Sequence, residues 1–354
     1  SFGTGGERAN RHAGSSGRRA VEQRGPDADG RWTDGKVVFA HSRLSILDLS
    51  ADANQPFFQN EQQVITYNGE IFNFEELRRE LAADFQFKTS SDTEVLYRLL
   101  EKWGRQGLRR LNGMFAFGYY DRTQKKLLLV RDRFGIKPLY FFHDRRGLIF
   151  SSEQKAIYPF IEEGIDERAL AEHLSFKCVS GQRTLVRGVS ELRPGHWLEL
   201  DVATNRLSVE QWYEMPRERE QTTADLVEST EYLLEDAVRL RLISDVPVGL
   251  QLSGGVDSSI IAYLVSNKAG KKLNSYSIGF PGDDQDESKY AEKVSAQLGL
   301  NHHPIEFTAR DFMELWEQAI YHNDEPINHP HSLPIFKLSQ VARQDVTVLS
   351  LIHI

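Results

Sequence analysis

The chain has 354 residues, 40% of them hydrophobic, and a formal net charge of -8 at pH 7. The length predicts two domains of roughly 100–200 residues each. The charge argues against a nucleic-acid scaffold, and no apolar run approaches the roughly 20 residues of a membrane span. Because the chain has a single cysteine, Cys178, an internal disulfide is excluded, and we expect a protein of the reducing cytoplasm.

The first half of the chain predicts mixed sheets packed with helices. Residues 1–23 are rich in Arg, Gly and Ser, so we expect an aberrant or disordered terminus without a strand. Residues 36–49 are apolar on both alternating faces, which predicts a strand covered on both sides. Further strands are predicted at 63–69, 114–121, 126–132, 138–144, 147–152 and 196–200, and helices at 74–82 and 92–104.

The second half has a different pattern. Charge and proline replace apolar periodicity at 214–223, which predicts a linker. After a helical repeat that begins at Leu226, strands and helices alternate: the strands are predicted at 246–252, 273–280 and 303–307, and the helices at 256–265 and 287–298. This alternation predicts a parallel sheet with helices on both faces.

A glycine turn, "SGGVDSS" at 253–259, follows the first of these strands. Its two glycines permit close approach to the main chain, and the next helix offers free N–H groups beside serine hydroxyls. The turn is therefore a candidate phosphate cradle, although it lacks the lysine of a Walker A loop. The alternative is an ordinary strand-to-helix turn capped by Asp257 or a serine.

Three stretches of the first half, "AHSRLSILD", "YNGEIFN" and "SDTEVL", suit recognition of an α-amino acid with a side-chain amide. Arg43 could grip a carboxylate with two parallel hydrogen bonds, and Asp92 could receive an amino group. Asn68 and the Gly69 N–H could stabilise a tetrahedral oxyanion. Each also has an ordinary explanation: a surface arginine, a helix cap and a common turn pair.

Taken together, these motifs resemble known families. "SGGVDSS" resembles the pyrophosphate loop of the N-type ATP pyrophosphatases. The three stretches, with "RGPDADG" and "RDRFGIKPLY", resemble the class II glutamine amidotransferase domain. In this order they resemble glutamine-hydrolysing asparagine synthetases over about residues 24–349.

The resemblance implies a mixed α/β and α+β chain. An Ntn-type αββα sandwich at 24–213 would be followed by a linker at 214–223. A truncated parallel-sheet ATP-pyrophosphatase domain, adenine nucleotide alpha hydrolase-like, would occupy 224–348.

The resemblance also implies the chemistry. One site would hydrolyse glutamine, and the other would form β-aspartyl-AMP from aspartate and ATP with release of pyrophosphate. Ammonia would then displace AMP and give asparagine. ATP, Mg²⁺ and a homodimer follow by the same resemblance, with no nucleic-acid or membrane partner.

Site residues carry over by position. The implied glutamine site comprises Arg43, Asn68, Gly69, Glu70 and Asp92. The implied ATP site comprises Leu252, Ser253, Gly254, Gly255, Asp257, Ser258, Ile278 and Gly279, with Asp257 as the Mg²⁺ contact. Asp324 and Glu325 could border the synthetase site or simply cap a proline-broken loop. The nearby histidines lack the spacing of a zinc site.

The two ends depart from the family pattern. The family nucleophile is an N-terminal cysteine, whereas residue 1 is Ser1. Residues 349–354 match a translated sequencing adapter, so we expect a non-native tail on a fragment that is inactive as written.

Two rival functions remain open. One is an amidotransferase acting on another carboxylate, in secondary metabolism or polysaccharide synthesis. The other is a nucleotide-binding or regulatory module without catalysis.

Overall fold

The computed structural model describes residues 2–5, 22–162, 164–216, 222–284 and 286–350. The chain divides into two compact units after Pro216, a point that lies inside the range predicted as a linker. None of the helices in the described ranges is long and apolar enough to cross a membrane.

The first unit consists mainly of strands. They are β1 (Phe2–Gly5), β2 (Ala28–Thr33), β3 (Val37–Arg43), β4 (Gln63–Ile71), β5 (Gly113–Asp121), β6 (Lys126–Arg131), β7 (Tyr140–Asp144), β8 (Gly147–Ser151), β9 (Ser190–Glu191), β10 (His196–Asp201) and β11 (Arg206–Gln211). The helices are α1 (Phe74–Leu81), α2 (Asp92–Trp103) and α3 (Glu167–Phe176).

These strands form two antiparallel sheets that face each other. The orders are β2-β3-β1-β8-β7-β9 and β11-β10-β6-β5-β4. Phe39 and Phe150 from the first sheet share one buried cluster with Tyr120 and Leu129 from the second. Burial of these side chains on both inner faces makes the sandwich core, because sheets pack by interdigitating the residues that alternate inward.

Helix α2 covers the outer face of the second sheet. Neighbouring residues on β5 point in opposite directions: Tyr120 enters the core between the sheets, whereas the Tyr119 ring lies 6.4 Å from the Tyr97 ring of α2. The hydroxyl of Ser91 accepts a hydrogen bond from the Glu94 N–H and begins this helix.

Two expectations about strands were wrong. Phe2–Gly5 form a strand between β3 and β8, although no strand was predicted in the first 23 residues. Backbone pairing supports this short strand, and apolar alternation does not reveal it. The strand predicted at 36–49 ends at Arg43 because that side chain binds backbone carbonyls of residues 47, 48 and 50, where the chain folds back. Residues 6–21 of the predicted aberrant terminus lie outside the described ranges.

The second unit is a parallel α/β layer structure. Its strands are β12 (Val248–Gln251), β13 (Asn274–Gly279), β14 (Asn301–Glu306) and β15 (Val348–Ser350). Its helices are α4 (Thr223–Arg241), α5 (Val256–Tyr263), α6 (Ser288–Leu298), α7 (Ala309–Asn323) and α8 (Ser332–Ala342).

The sheet order is β14-β13-β12-β15, with every pair parallel. Apolar residues of α4, α5 and α6 share one cluster with Leu250, and those of α8 share another with Tyr276. Both faces are thus covered, as a parallel sheet requires. Strand β15 includes Leu349 and Ser350, the first two residues of the predicted tail; residues 351–354 lie outside the described ranges.

Candidate functional site

A cavity of about 210 Å³ in the first unit brings together the residues predicted to bind glutamine. Its lining includes Arg43, Asn68, Gly69, Glu70 and Asp92. Three separate stretches of sequence supply them, from the end of β3, the end of β4 and the start of α2. The antiparallel sandwich therefore places the predicted residues around one space.

Asp92 is a buried carboxylate in this cavity. It accepts hydrogen bonds from the Tyr67 hydroxyl at 2.7 Å and the Ile71 N–H at 3.0 Å, both at Oδ2. Burial raises the pKa of Asp92, while these hydrogen bonds act in the opposite direction. The helix cap is Ser91, so capping does not account for Asp92.

Arg43 is committed to the protein itself. Its Nη1 donates to the Ser50 carbonyl and the Asn54 side chain, and its Nη2 donates to the carbonyls of Leu47 and Asp48. Burial lowers the pKa of Arg43, although nearby aspartates oppose this effect. Both Nη atoms are therefore occupied, and the predicted pair of parallel bonds to a carboxylate is not available in this arrangement; no described residue accepts a hydrogen bond from Nε–H.

Asn68 and Gly69 lie inside β4, opposite Ala116 and Phe115, so the turn-pair explanation is wrong. No described residue hydrogen-bonds to the Asn68 side-chain amide. A Cβ on Gly69 would lie 2.2 Å from the Met114 carbonyl oxygen, which is why glycine is required here.

Several lining residues were not predicted. They include Arg24, His41, Tyr67, Lys137 and Ser152. Burial lowers the pKa of His41, with the charge of Arg43 acting in the same direction, and lowers the pKa of Lys137. Lys137 belongs to "RDRFGIKPLY", a stretch that sequence analysis noted without assigning its lysine a role.

The glycine turn of the second unit runs from the end of β12 into α5. Gly254 has φ +83°, and a Cβ there would lie 2.6 Å from the Ala291 N. The Ser253 and Ser258 hydroxyls lie 3.0 Å apart, and Ser258 and Ser259 both donate to the Gly255 carbonyl. Leu252 is buried beneath the turn, with its N–H bonded to Tyr276.

The remaining predicted ATP residues lie on the adjacent strand. Gln251 pairs in parallel with Tyr276, so Ser253 and Ile278 occupy the same carboxyl edge of the sheet, followed by Gly279. Ligands of open α/β sheets bind at this edge. Asp324 caps the C-terminal end of α7 with φ 61°, and Glu325 follows it.

The surroundings of Asp257 suit its predicted contact with Mg²⁺. This side chain is exposed on α5, and it makes no hydrogen bond or ion pair with any described residue. One free carboxylate beside a phosphate cradle suits Mg²⁺, which binds through few protein oxygens and substrate phosphates. In the described ranges no group of three His, Cys, Asp or Glu is positioned to hold a metal ion.

Comparisons with known proteins account for both units. The model of the glutamine amidotransferase domain family matches residues 3–213, and that of the asparagine synthase family matches residues 229–350. A Methanocaldococcus jannaschii protein, provisionally named as a glutamine-hydrolyzing asparagine synthetase, is 32% identical over 94% of this chain and 68% of its own length. This chain belongs to the glutamine-hydrolysing asparagine synthetase family.

Two further relatives are longer than the present chain. Asparagine synthetase (glutamine-hydrolyzing) 1 of Bacillus subtilis is 33% identical over 93% of this chain and 52% of its own length. Amidase chry2 of Gibberella zeae is 33% identical over 87% of this chain and 49% of its own length. The chain thus spans about half the length of these two relatives. It combines a sandwich of two antiparallel sheets, matched by the glutamine amidotransferase domain model, with a parallel-sheet α/β unit.

Proposed function

We propose that this synthetase-family chain serves the ATP-dependent formation of L-asparagine from L-aspartate, with ammonia derived from glutamine. The intermediate would be β-aspartyl-AMP, and AMP and pyrophosphate would be released. The observation that carries the proposal is the cavity in which Asp92, Asn68 and Gly69 converge. A cytoplasmic homodimer that uses Mg²⁺ belongs to the same proposal.

In the amidotransferase unit, the Asp92 carboxylate would receive the α-ammonium of glutamine. Oδ2 already accepts two protein hydrogen bonds, so Oδ1 would face the ligand. The Asn68 amide and the Gly69 N–H would hold the oxygen of the side-chain amide as it gains negative charge. Arg43 would act chiefly by holding the loop of residues 47–54 that closes the pocket.

In the second unit, the turn at 253–258 would receive the pyrophosphate part of ATP. The N-terminal N–H groups of α5 and the hydroxyls of Ser253 and Ser258 are the donors. Bound Mg²⁺ would offset phosphate charge, and the free carboxylate of Asp257 suits that contact. Ile278 and Gly279 would lie against the adenine.

The test is calorimetric titration of the 354-residue chain with L-glutamine and with ATP–Mg²⁺, followed by product analysis of the full-length gene product with aspartate, ATP and ammonia. Binding of both ligands and formation of asparagine support the proposal. ATP-dependent release of pyrophosphate with another carboxylate, but not with aspartate, would instead support the rival amidotransferase. Failure of glutamine to bind would remove the proposed role of the cavity.

A further inference from the structure

Lys137 is held in the wall of the cavity by a rigid loop. The buried Asp132 carboxylate accepts backbone hydrogen bonds from Phe134, Ile136 and Lys137 at 3.0–3.1 Å. Arg131 donates from Nε to the Lys137 carbonyl at 2.9 Å. Both backbone groups of Lys137 are therefore fixed by neighbouring side chains, so its side chain starts from a defined position.

The same loop is fastened to the strand opposite Gly69. Phe115 pairs with Gly69 and makes two hydrogen bonds with Asp132. The Phe115 N–H donates to Asp132 Oδ2 at 3.1 Å, and the Asp132 N–H donates to the Phe115 carbonyl at 2.8 Å. Lys137 thus belongs to the end of the cavity formed by Asn68 and Gly69.

The proposed orientation of glutamine brings its side chain to the end of the cavity that holds Lys137. The ammonium would lie at Asp92, and the side-chain amide would lie at Asn68 and Gly69, beside which the loop of Lys137 is fastened. The end of the side chain of a bound amino acid would therefore face Lys137.

Lys137 also differs from the other cations in its bonding. Arg43 uses both Nη atoms on the protein, and Arg24 bonds to Glu153 at 3.0 Å. By contrast, no described residue accepts a hydrogen bond from Lys137 Nζ, although the side chain lines the cavity. Lys137 is partly buried, and a ligand carboxylate in the cavity would give its ammonium a charge-assisted hydrogen bond.

We propose that Lys137 binds the γ-carboxylate of L-glutamate, so that this cavity holds the product of glutamine hydrolysis more tightly than glutamine itself. The inference rests on the proposed function and adds to it inhibition by L-glutamate. A charge-assisted hydrogen bond favours the carboxylate of glutamate over the neutral amide of glutamine, whereas the α-amino and α-carboxylate groups of the two ligands are identical.

The experiment is calorimetric titration of the whole chain with L-glutamate and L-glutamine at pH 7.5. Wild type should bind L-glutamate more tightly. Lys137→Met should weaken binding of L-glutamate by about tenfold or more and binding of L-glutamine by less than about twofold. Lys137→Arg should retain the preference for glutamate. Lys36→Met, which removes an exposed lysine from the turn before β3, is the matched control.

Circular dichroism and thermal unfolding establish that each variant is folded, and Lys137→Gln replaces the methionine variant if that variant is not. Equal weakening of both ligands by Lys137→Met would overturn the inference, since it would place Lys137 at the shared α-carboxylate or in a structural role. Unchanged binding of L-glutamate would overturn it as well. If wild type binds neither amino acid, the proposed function itself fails.

Discussion

At the scale of single residues, Asp92 shows how binding competes with stability. Its carboxylate is buried, and burial raises its pKa because the charged form loses hydration. A group whose pKa is raised in the folded state contributes stability below its unfolded pKa, and this contribution is lost as pH rises through the folded pKa. The ionised form suited to an ammonium ligand is thus a cost to the folded protein.

We expect Asp92→Asn to raise the melting temperature at pH 8 and to weaken L-glutamine binding by about tenfold or more. The asparagine Oδ1 can replace Oδ2 as acceptor for Tyr67 and Ile71, while its NH₂ group would face the ligand ammonium. The gain in stability should shrink at pH 4. Thermal unfolding at both pH values and calorimetry check this.

The control for this variant is Glu76→Gln, which removes an exposed carboxylate from helix α1, away from the cavity. It should change neither glutamine affinity nor the difference between the two pH values. A lower melting temperature of Asp92→Asn at pH 8 would contradict the argument, because it would show that the charge itself stabilises the fold.

Part of the lining of the cavity was predictable from sequence, but its hydrogen bonds were not. Arg43, Asn68 and Asp92 belong to short motifs with distinct chemistry, and the sandwich brings them together. What the motifs do not reveal is which donors the protein already uses. Both Nη atoms of Arg43 donate to a loop that folds back on it, and among the described residues none accepts a hydrogen bond from Lys137 Nζ; both facts depend on tertiary structure.

At the scale of elements, the turn before α5 offers a matched pair of glycines. A Cβ on Gly254 would require φ +83° and would lie 2.6–2.7 Å from atoms of Ala291 and Tyr290 on α6. A Cβ on Gly255 would meet only the Ser253 hydroxyl, at 3.4 Å. We expect Gly254→Ala to lower the free energy of unfolding by roughly 2–4 kcal/mol, measured by urea denaturation.

Gly255→Ala should cost less than about 1 kcal/mol in the same assay, since its φ of -69° is open to alanine. Equal losses in the two variants would show that the turn does not depend on its packing against α6.

Helix α7 begins with a reciprocal cap that includes an ion pair. Thr308 and Asp311 exchange hydrogen bonds, and Asp311 contacts Lys337 of α8 at 2.6 Å. Lys337, with Thr308, lowers the pKa of Asp311 to about 2. Because this pKa is depressed, the contribution to stability is present above the ordinary value near 3.8 and is lost as pH falls toward 2.

We therefore expect Asp311→Asn to destabilise the second unit at pH 6 and to flatten the fall of its melting temperature between pH 4 and pH 2. Differential scanning calorimetry at several pH values measures both effects. Glu314→Gln, which breaks the exposed pair with Arg310 on the same helix, should leave the slope unchanged. An unaltered slope in Asp311→Asn would contradict the role of this ion pair.

Helices and strands with strong apolar periodicity were predictable from sequence, and those with weak periodicity were not. The apolar periodicity of α2 and α6 and the runs of β5 and β10 lie within a few residues of their predicted ranges. Strands β1, β2 and β9 were missed because they have little apolar alternation, and pairing of their backbones with neighbouring strands holds them in the sheet. Strand β11 was also missed, although Leu207 and Val209 alternate with polar residues there. The end of β3 was missed because Arg43 terminates it through distant carbonyls.

At the scale of the whole molecule, the two proposed ligand sites lie in different units. The cavity proposed for the amino acid is lined by residues from Arg24 to Ser152, and the glycine turn proposed for the nucleotide lies at 252–258, beyond the division at Pro216. A ligand that binds a folded unit stabilises it by RT ln(1 + [L]/Kd), which is about 2.7 kcal/mol at one hundred times Kd. Each ligand should therefore raise the unfolding temperature of the unit that carries its proposed site.

In differential scanning calorimetry, we expect L-glutamine to raise the midpoint temperature of one unfolding transition by several degrees and ATP–Mg²⁺ to raise that of the other. Asp92→Asn should abolish the temperature shift caused by glutamine and leave the shift caused by ATP–Mg²⁺ intact. Ser258→Ala should reduce only the shift caused by ATP–Mg²⁺, because its hydroxyl lies in the glycine turn. A single transition raised by both ligands would mean that the units unfold as one cooperative structure. Loss of both shifts in Asp92→Asn would mean that this carboxylate supports the fold beyond its own cavity.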